Sequence, residues 1–195
     1  MLMTVHLTVD DLPQIARRVC DTWIIEADNK NCEVYLVPGE IANVCLSGDK
    51  DGSILVFGGG DGSAIRDGAG DGKAMRLGRG HGCAIRSGAG DGDAIRAGHG
   101  NGDAIRDGEG DGEALRYGKG NGDAIRAGAG DGKAVRRGRG CGDAIRHGDG
   151  TGSAFRYDSG AGNAIRDGNG RGNARRYGSG DGDAIRCGAG DGDGN

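Results

Sequence analysis

No apolar run in this chain of 195 residues approaches the ~20 residues that a membrane span requires. No membrane partner is therefore expected. The amino terminus, MLMTVHLTVDDL, lacks a basic stretch leading into an apolar one, so no secretory leader is expected either. The six cysteines are Cys20, Cys32, Cys45, Cys83, Cys141 and Cys187, and none form a C-x-x-C pair. This is not the spacing of a zinc site or a disulfide framework, and it predicts a protein of the reducing cytoplasm without metal or cofactor. Catalytic groupings are missing as well. His6, His81, His99 and His147 are scattered, and no Ser-His-Asp or Cys-His arrangement can be placed. An enzyme is not expected.

Charge of one sign is also missing where a nucleic-acid reader would need it. Residues 1–60 hold nine acids and four bases, whereas residues 61–195 hold 20 acids and 21 bases. So even a balance argues against both a polyanion mimic and a basic groove, and nucleic acid is not an expected partner.

Glycine is what the chain has in excess, 46 of 195 residues, against a usual share of about 7%. From Asp61 the sequence reads x-G-x-A-I-R-x-G-x-G thirteen times, ending in a partial copy, DGDGN. Collagen needs Gly at every third residue and is excluded. Here every even-numbered residue from Gly60 to Gly194 is Gly, Ala or Arg, Asp158 excepted. Period two belongs to extended chain, whose side chains alternate between two faces. A twenty-residue superperiod overlies it. The copies from 61, 81, 101, 121, 141, 161 and 181 all read A-I-R, while those between them vary the Ile in all but the copy from 91 and carry Leu77, Ala97, Tyr117, Arg137, Tyr157 and Tyr177 two residues later. The predicted fold is mainly β, a two-sided parallel β-solenoid of ten-residue repeats, twenty residues per coil. Thirteen repeats make a rod of about 31 Å at ~4.8 Å per coil.

The fifth repeat position is the large apolar one, and it predicts a stacked core of Ile65, Ile85, Ile95, Ile105, Ile125, Ile145, Ile165 and Ile185. An alternative turns the Gly/Ala side inward as two closely apposed sheets with Arg at the edges. With Ile inside, the invariant Arg66, Arg76, Arg86, Arg96, Arg106, Arg116, Arg126, Arg136, Arg146, Arg156, Arg166, Arg176 and Arg186 form outward structural ladders. Acids at repeat positions one, three and seven would neutralise them, with further hydrogen bonds to turn carbonyls.

Residues 1–60 differ in composition and predict a small α+β capping domain, leaving 61–195 as the solenoid. Leu12, Ile15, Ala16, Val19 and Trp23 at helical spacing, with Thr8 and Asp11 as a capping box and Pro13 in the first turn, predict a helix over about 9–22. CEVYLV (32–37), EIANVCL (40–46) and SILVF (53–57) predict strands, as does MTVHLT near the start.

Three of the four tyrosines, Tyr117, Tyr157 and Tyr177, share one repeat position beside Arg137, Lys119 and Arg139. Tyr with Arg is the chemistry of interfaces, so this face is the predicted partner-binding surface. The expected activity is binding without catalysis, through this face or through the capping domain. The partner would be a protein of unknown identity, or a second copy in a homo-oligomer.

The segments at Asp93, Asp103, Asp123, Asp143 and Asp183, such as Asp93-Ala94-Ile95-Arg96, resemble the D-x-U-x portion of RTX calcium-binding β-roll repeats. That resemblance implies a calcium-dependent β-roll as the alternative. The chain departs from it with a period of ten, and with Lys73 and Lys133 in the calcium-ligand row. Alternate glycine beside a small N-terminal domain is also similar to Gly-rich repeat proteins of phages and mobile elements, implying an accessory or inhibitor protein. A third expectation, an ice- or lattice-ordering surface, lacks the flat Thr arrays it would need.

Overall fold

The computed structural model describes residues 3–157, 159–189 and 191–194. Asp158, the exception to the Gly/Ala/Arg parity, lies outside them. The chain winds into a parallel β-solenoid of about eight coils with roughly twenty residues each. Its strands before the repeats are β1 (Met3–Leu7), β2 (Arg17–Val19), β3 (Thr22–Glu26), β4 (Lys30–Leu36), β5 (Asn43–Ser47) and β6 (Ile54–Gly58). Every repeat then adds one short strand that opens at its Ala, from β7 (Ala64–Asp67) to β19 (Ala184–Arg186).

Strands join alternately into two sheets of nine and ten strands. The nine-stranded one carries Tyr117 and is called the tyrosine sheet. The other carries the A-I-R copies and is called the isoleucine sheet. Among the repeat strands pairing within each is parallel and in register at twenty residues, Ile105 lying beside Ile85 and Ile125. Among the described residues no helix is long and apolar enough to cross a membrane.

Which side of the strand faces inward differs from the preferred expectation. Ile65, Ile85, Ile95, Ile105, Ile125, Ile145 and Ile165 are half-exposed on the outside, and Ile185 is 37% exposed. The inward residues are Ala and Arg, fully buried from Ala64 to Ala174 and from Arg66 to Arg166. The reason is the backbone. Gly-rich turns aim carbonyls into the narrow interior, and buried carbonyls need donors that Ile cannot supply. Ala lets the two sheets approach, while Arg reaches along the gap to the turns.

Close axial stacking is what demands the glycines. At Gly118, φ is +110°, and a Cβ would stand 2.1 Å from the Gly98 carbonyl oxygen one coil below. At Gly120 the backbone is ordinary, but a Cβ would meet the Gly100 oxygen at 2.2 Å.

The first sixty residues continue the same two sheets. In the tyrosine sheet β1 pairs with β4, β4 with β6 and β6 with the first repeat strand of that sheet. In the isoleucine sheet β3 pairs with β5 and β5 with β7. The change at residue 60 is one of interior chemistry: Cys32, Val34, Leu36, Val44, Leu46, Ile54 and Val56 fill these coils with an apolar core.

The helix expected over 9–22 shrinks to a 3-10 turn at Val9–Asp11 and one α turn at Leu12–Ile15. The capping box holds, the Thr8 amide and hydroxyl donating to Asp11 Oδ2 at 2.7 and 2.8 Å. Leu12 is fully buried as a plug in the first coil. Ala16 then turns extended, and β2 runs antiparallel to β3 through a turn with Cys20 at φ +52°. Covering the edge of β3 outweighs the helical spacing, because Val19, Thr22 and Ile24 are β-branched and suit a strand.

Candidate functional site

The arginine interior sets the geometry of everything outside it. In the isoleucine sheet, Arg126 donates from Nε to the Gly112 carbonyl at 3.0 Å. Its Nη2 reaches the Gly110 carbonyl at 2.8 Å and its Nη1 the Gly108 carbonyl at 3.2 Å. A further bond goes to the carbonyl of Ala127. In the tyrosine sheet, Arg96 donates to the carbonyls of Gly82 (2.8 Å), Gly80 (2.7 Å) and Ala97 (2.6 Å). One guanidinium thus staples the turn of the preceding coil to its own strand.

The predicted Arg–Asp lattice is not what forms. The acids at positions one and three accept instead from backbone amides one coil further on. Asp111 Oδ1 takes the Asp131 amide at 2.7 Å, and Asp123 Oδ1 takes the Asp143 amide at 2.8 Å. Asn121 and Asn163 accept in the same way. An amide acceptor, not a countercharge, is what these positions select, which is why Ser and Asn also occupy them. The predicted bonds to turn carbonyls do form.

Stacking cations at strand spacing has a cost. Two unit charges ~4.8 Å apart repel by about 3.5 kcal/mol at an effective dielectric of about 20. Three charge-assisted hydrogen bonds on Arg96 and four on Arg126, each about 1.5–3 kcal/mol, exceed that. The strain appears in the titration. Burial first, and neighbouring arginines second, push Arg86, Arg116, Arg126, Arg136 and Arg146 down to about 10.

With the interior uniform, the outer faces carry the individuality. Position seven of the tyrosine sheet is a continuous row. Register places Tyr117 beside Arg137, Arg137 beside Tyr157 and Tyr157 beside Tyr177. Tyr157 and Tyr177 stack with ring centroids 5.1 Å apart and planes 11° from parallel. The Arg137 guanidinium lies 5.8 Å from the Tyr157 ring centroid. Lys119 and Arg139 are exposed in the turns that follow, at the edge of this face and off the row.

Two members of the row were missed. Register carries it back through Ala97 and Leu77 to Phe57 and Tyr35, whose rings are 5.2 Å apart. Their signal was the spacing from Phe57 to Leu77, already one coil, hidden because the repeat phrase begins only at Asp61. The isoleucine sheet presents a different face: its Ile row flanked by Asp103, Asp123 and Asp143 on one side and Asp67, Asp107 and Asp167 on the other. His147 and Asp167 pair there at 2.9 Å.

Among the described residues no three His, Cys, Asp or Glu side chains converge as metal ligands. The chain matches no protein-family model, no curated protein and no solved structure. Geometry alone carries the functional reading.

Proposed function

We propose that the protein is a non-enzymatic scaffold that presents the outer face of its tyrosine sheet to a protein partner. The observation behind this is the in-register row of Tyr117, Arg137, Tyr157 and Tyr177, extended by Phe57 and Tyr35. Tyr buries large area at low entropic cost, and the Arg137 guanidinium is held against the Tyr157 ring beside it. A reducing compartment suits this role, since the cysteines are free thiols and Cys32 and Cys45 are buried.

The reading is tested by photo-crosslinking from position 157, with position 49, in an exposed turn away from both sheet faces, as control. One discrete protein conjugate from 157 is expected, lost when Tyr117 and Tyr177 become Ala. Conjugates from both positions alike, or from neither, would overturn it.

A further inference from the structure

Two faces of one rod differ in charge and share a period. On the isoleucine sheet, Asp103, Asp123 and Asp143 stack at successive coils, and among the described residues none of them has a Lys or Arg ion-pair partner. Burial, together with its Asp neighbours, raises the Asp123 carboxyl above its ordinary value. On the tyrosine sheet, Arg137 is exposed, and Lys119 and Arg139 stand in the turns beside it.

Consecutive strands run in opposite directions on the two sides of the coil. Position seven of a tyrosine-sheet strand and position three of the next isoleucine-sheet strand therefore share one edge of the rod. Arg137 and Asp143 are such a pair. Within one chain they point away from each other, from opposite faces. A copy displaced across the ~10 Å that separates packed sheets would point its Arg137 at Asp123 and Asp143 of the first.

We propose that a second copy of this chain docks its tyrosine sheet onto the isoleucine sheet of the first, building an open face-to-back array. The inference rests on the tyrosine sheet being a contact surface, and it names what covers it. Any partner that engages every coil must repeat at strand spacing with the same twist, and a second copy does so by construction. Apolar meets apolar along the middle, Leu115, Val135 and Phe155 against the Ile row. Acid meets base along the edge that holds Arg137, Lys119 and Arg139, whereas Asp93 and Glu113 at the other edge rely on Lys73 and Lys133 beside them. The contact is heterologous and does not close on itself, so copies add without limit. A face about 38 Å by 13 Å buries about 1,000 Å² over both partners, near the lower bound for a specific interface. Association is accordingly concentration-dependent, and weakened by salt because the edge charges are exposed.

The test is the mass of the full chain by light scattering and sedimentation, from micromolar to millimolar, at low and high salt. Arg137→Glu damages one face and Asp143→Lys the other. Both point outward, and Lys73 and Lys133 already occupy the repeat position of Asp143, so circular dichroism should remain that of the parent. The expected result is a parent mass that climbs without a plateau, and a loss of at least tenfold in association for either variant alone. Mixing the two variants restores association, because each supplies the face the other lacks and the exchanged charges again oppose one another. A parent that stays monomeric, a plateau at the dimer, or variants that associate as the parent does would each overturn the proposal. The conjugate from position 157 separates the two readings: a second copy supports both, a different protein leaves only the binding scaffold, and none removes both.

Discussion

Leu46 and Arg66 are partners across one parallel pair of strands, the Arg66 Nη1 lying 3.5 Å from the Leu46 carbonyl oxygen. Two kinds of interior meet at this pair. Before it, side chains are apolar and fill the space between sheets by themselves. After it, a guanidinium fills the space by satisfying carbonyls. The same exchange occurs at Val56 and Arg76 in the other sheet. The rod thus changes its stabilising chemistry without breaking register.

Arg126→Lys should cost about 3 kcal/mol, because an ammonium cannot reach three carbonyls in a planar fork. Arg137→Lys, on the outer face, should stay within about 0.5 kcal/mol. Urea unfolding of both variants measures the contrast, and equal midpoints would contradict an inward Arg126.

Gly118→Ala should destabilise by at least about 2 kcal/mol, since it combines a left-handed backbone with contact against the coil below. Gly39→Ala is the comparison. Its φ is +96°, yet a Cβ there meets nothing within 4 Å. It should cost only the conformational part, about 1 kcal/mol. Thermal melts of the pair isolate the close approach.

Stability should respond unusually to alkali. Burial and neighbouring arginines hold Arg96 and Arg126 at about 10 in the folded chain, well below the ordinary guanidinium value. The folded chain therefore binds these protons less tightly than the unfolded one. That penalty is complete below the folded value and relaxes as pH climbs from it toward the unfolded value. The urea midpoint should rise as pH climbs above about 10. A midpoint that falls steadily over this range would count against the charged stack.

Asp123→Asn should stabilise by about 0.5 kcal/mol at neutral pH, a figure kept small because the row is partly screened by water. Asn keeps the acceptor for the Asp143 amide, as Asn163 does for Asp183. The raised carboxyl penalises folding only when ionised. The gain should therefore shrink as pH falls through the folded value and vanish below the ordinary 3.8. Melting temperatures of parent and variant across acid pH follow it.

Much of the architecture was legible in the sequence. Period two gave strands, and the superperiod from Tyr117 to Tyr157 and Tyr177 gave the two-sided coil and its in-register row. Orientation at Ile105 and Arg106 differs from the expectation because the turn carbonyls that Arg was expected to meet lie inside the coil, where apolar volume alone favours Ile. The better guide lay in the parity. Glycines that stack on one another must share the inward parity, and the unvarying Ala and Arg belong to it, whereas the variable residues face out. The helix over 9–22 failed at Val19 for a different reason: an exposed edge of β3 cannot be seen in local spacing. Tyr35 and Phe57 escaped because their coils share the fold of the repeats without sharing the phrase.

Alternation of sheets along the chain makes ten and twenty residues unequal steps of change. Inserting twenty residues lengthens the rod by one coil and leaves each face intact. Inserting ten after Gly80 would carry every later strand to the opposite side, severing Tyr35 and Phe57 from Tyr117, Tyr157 and Tyr177. The heritable unit of this rod is accordingly the pair of repeats, and its length can drift only in whole coils if the two faces are to keep their identities.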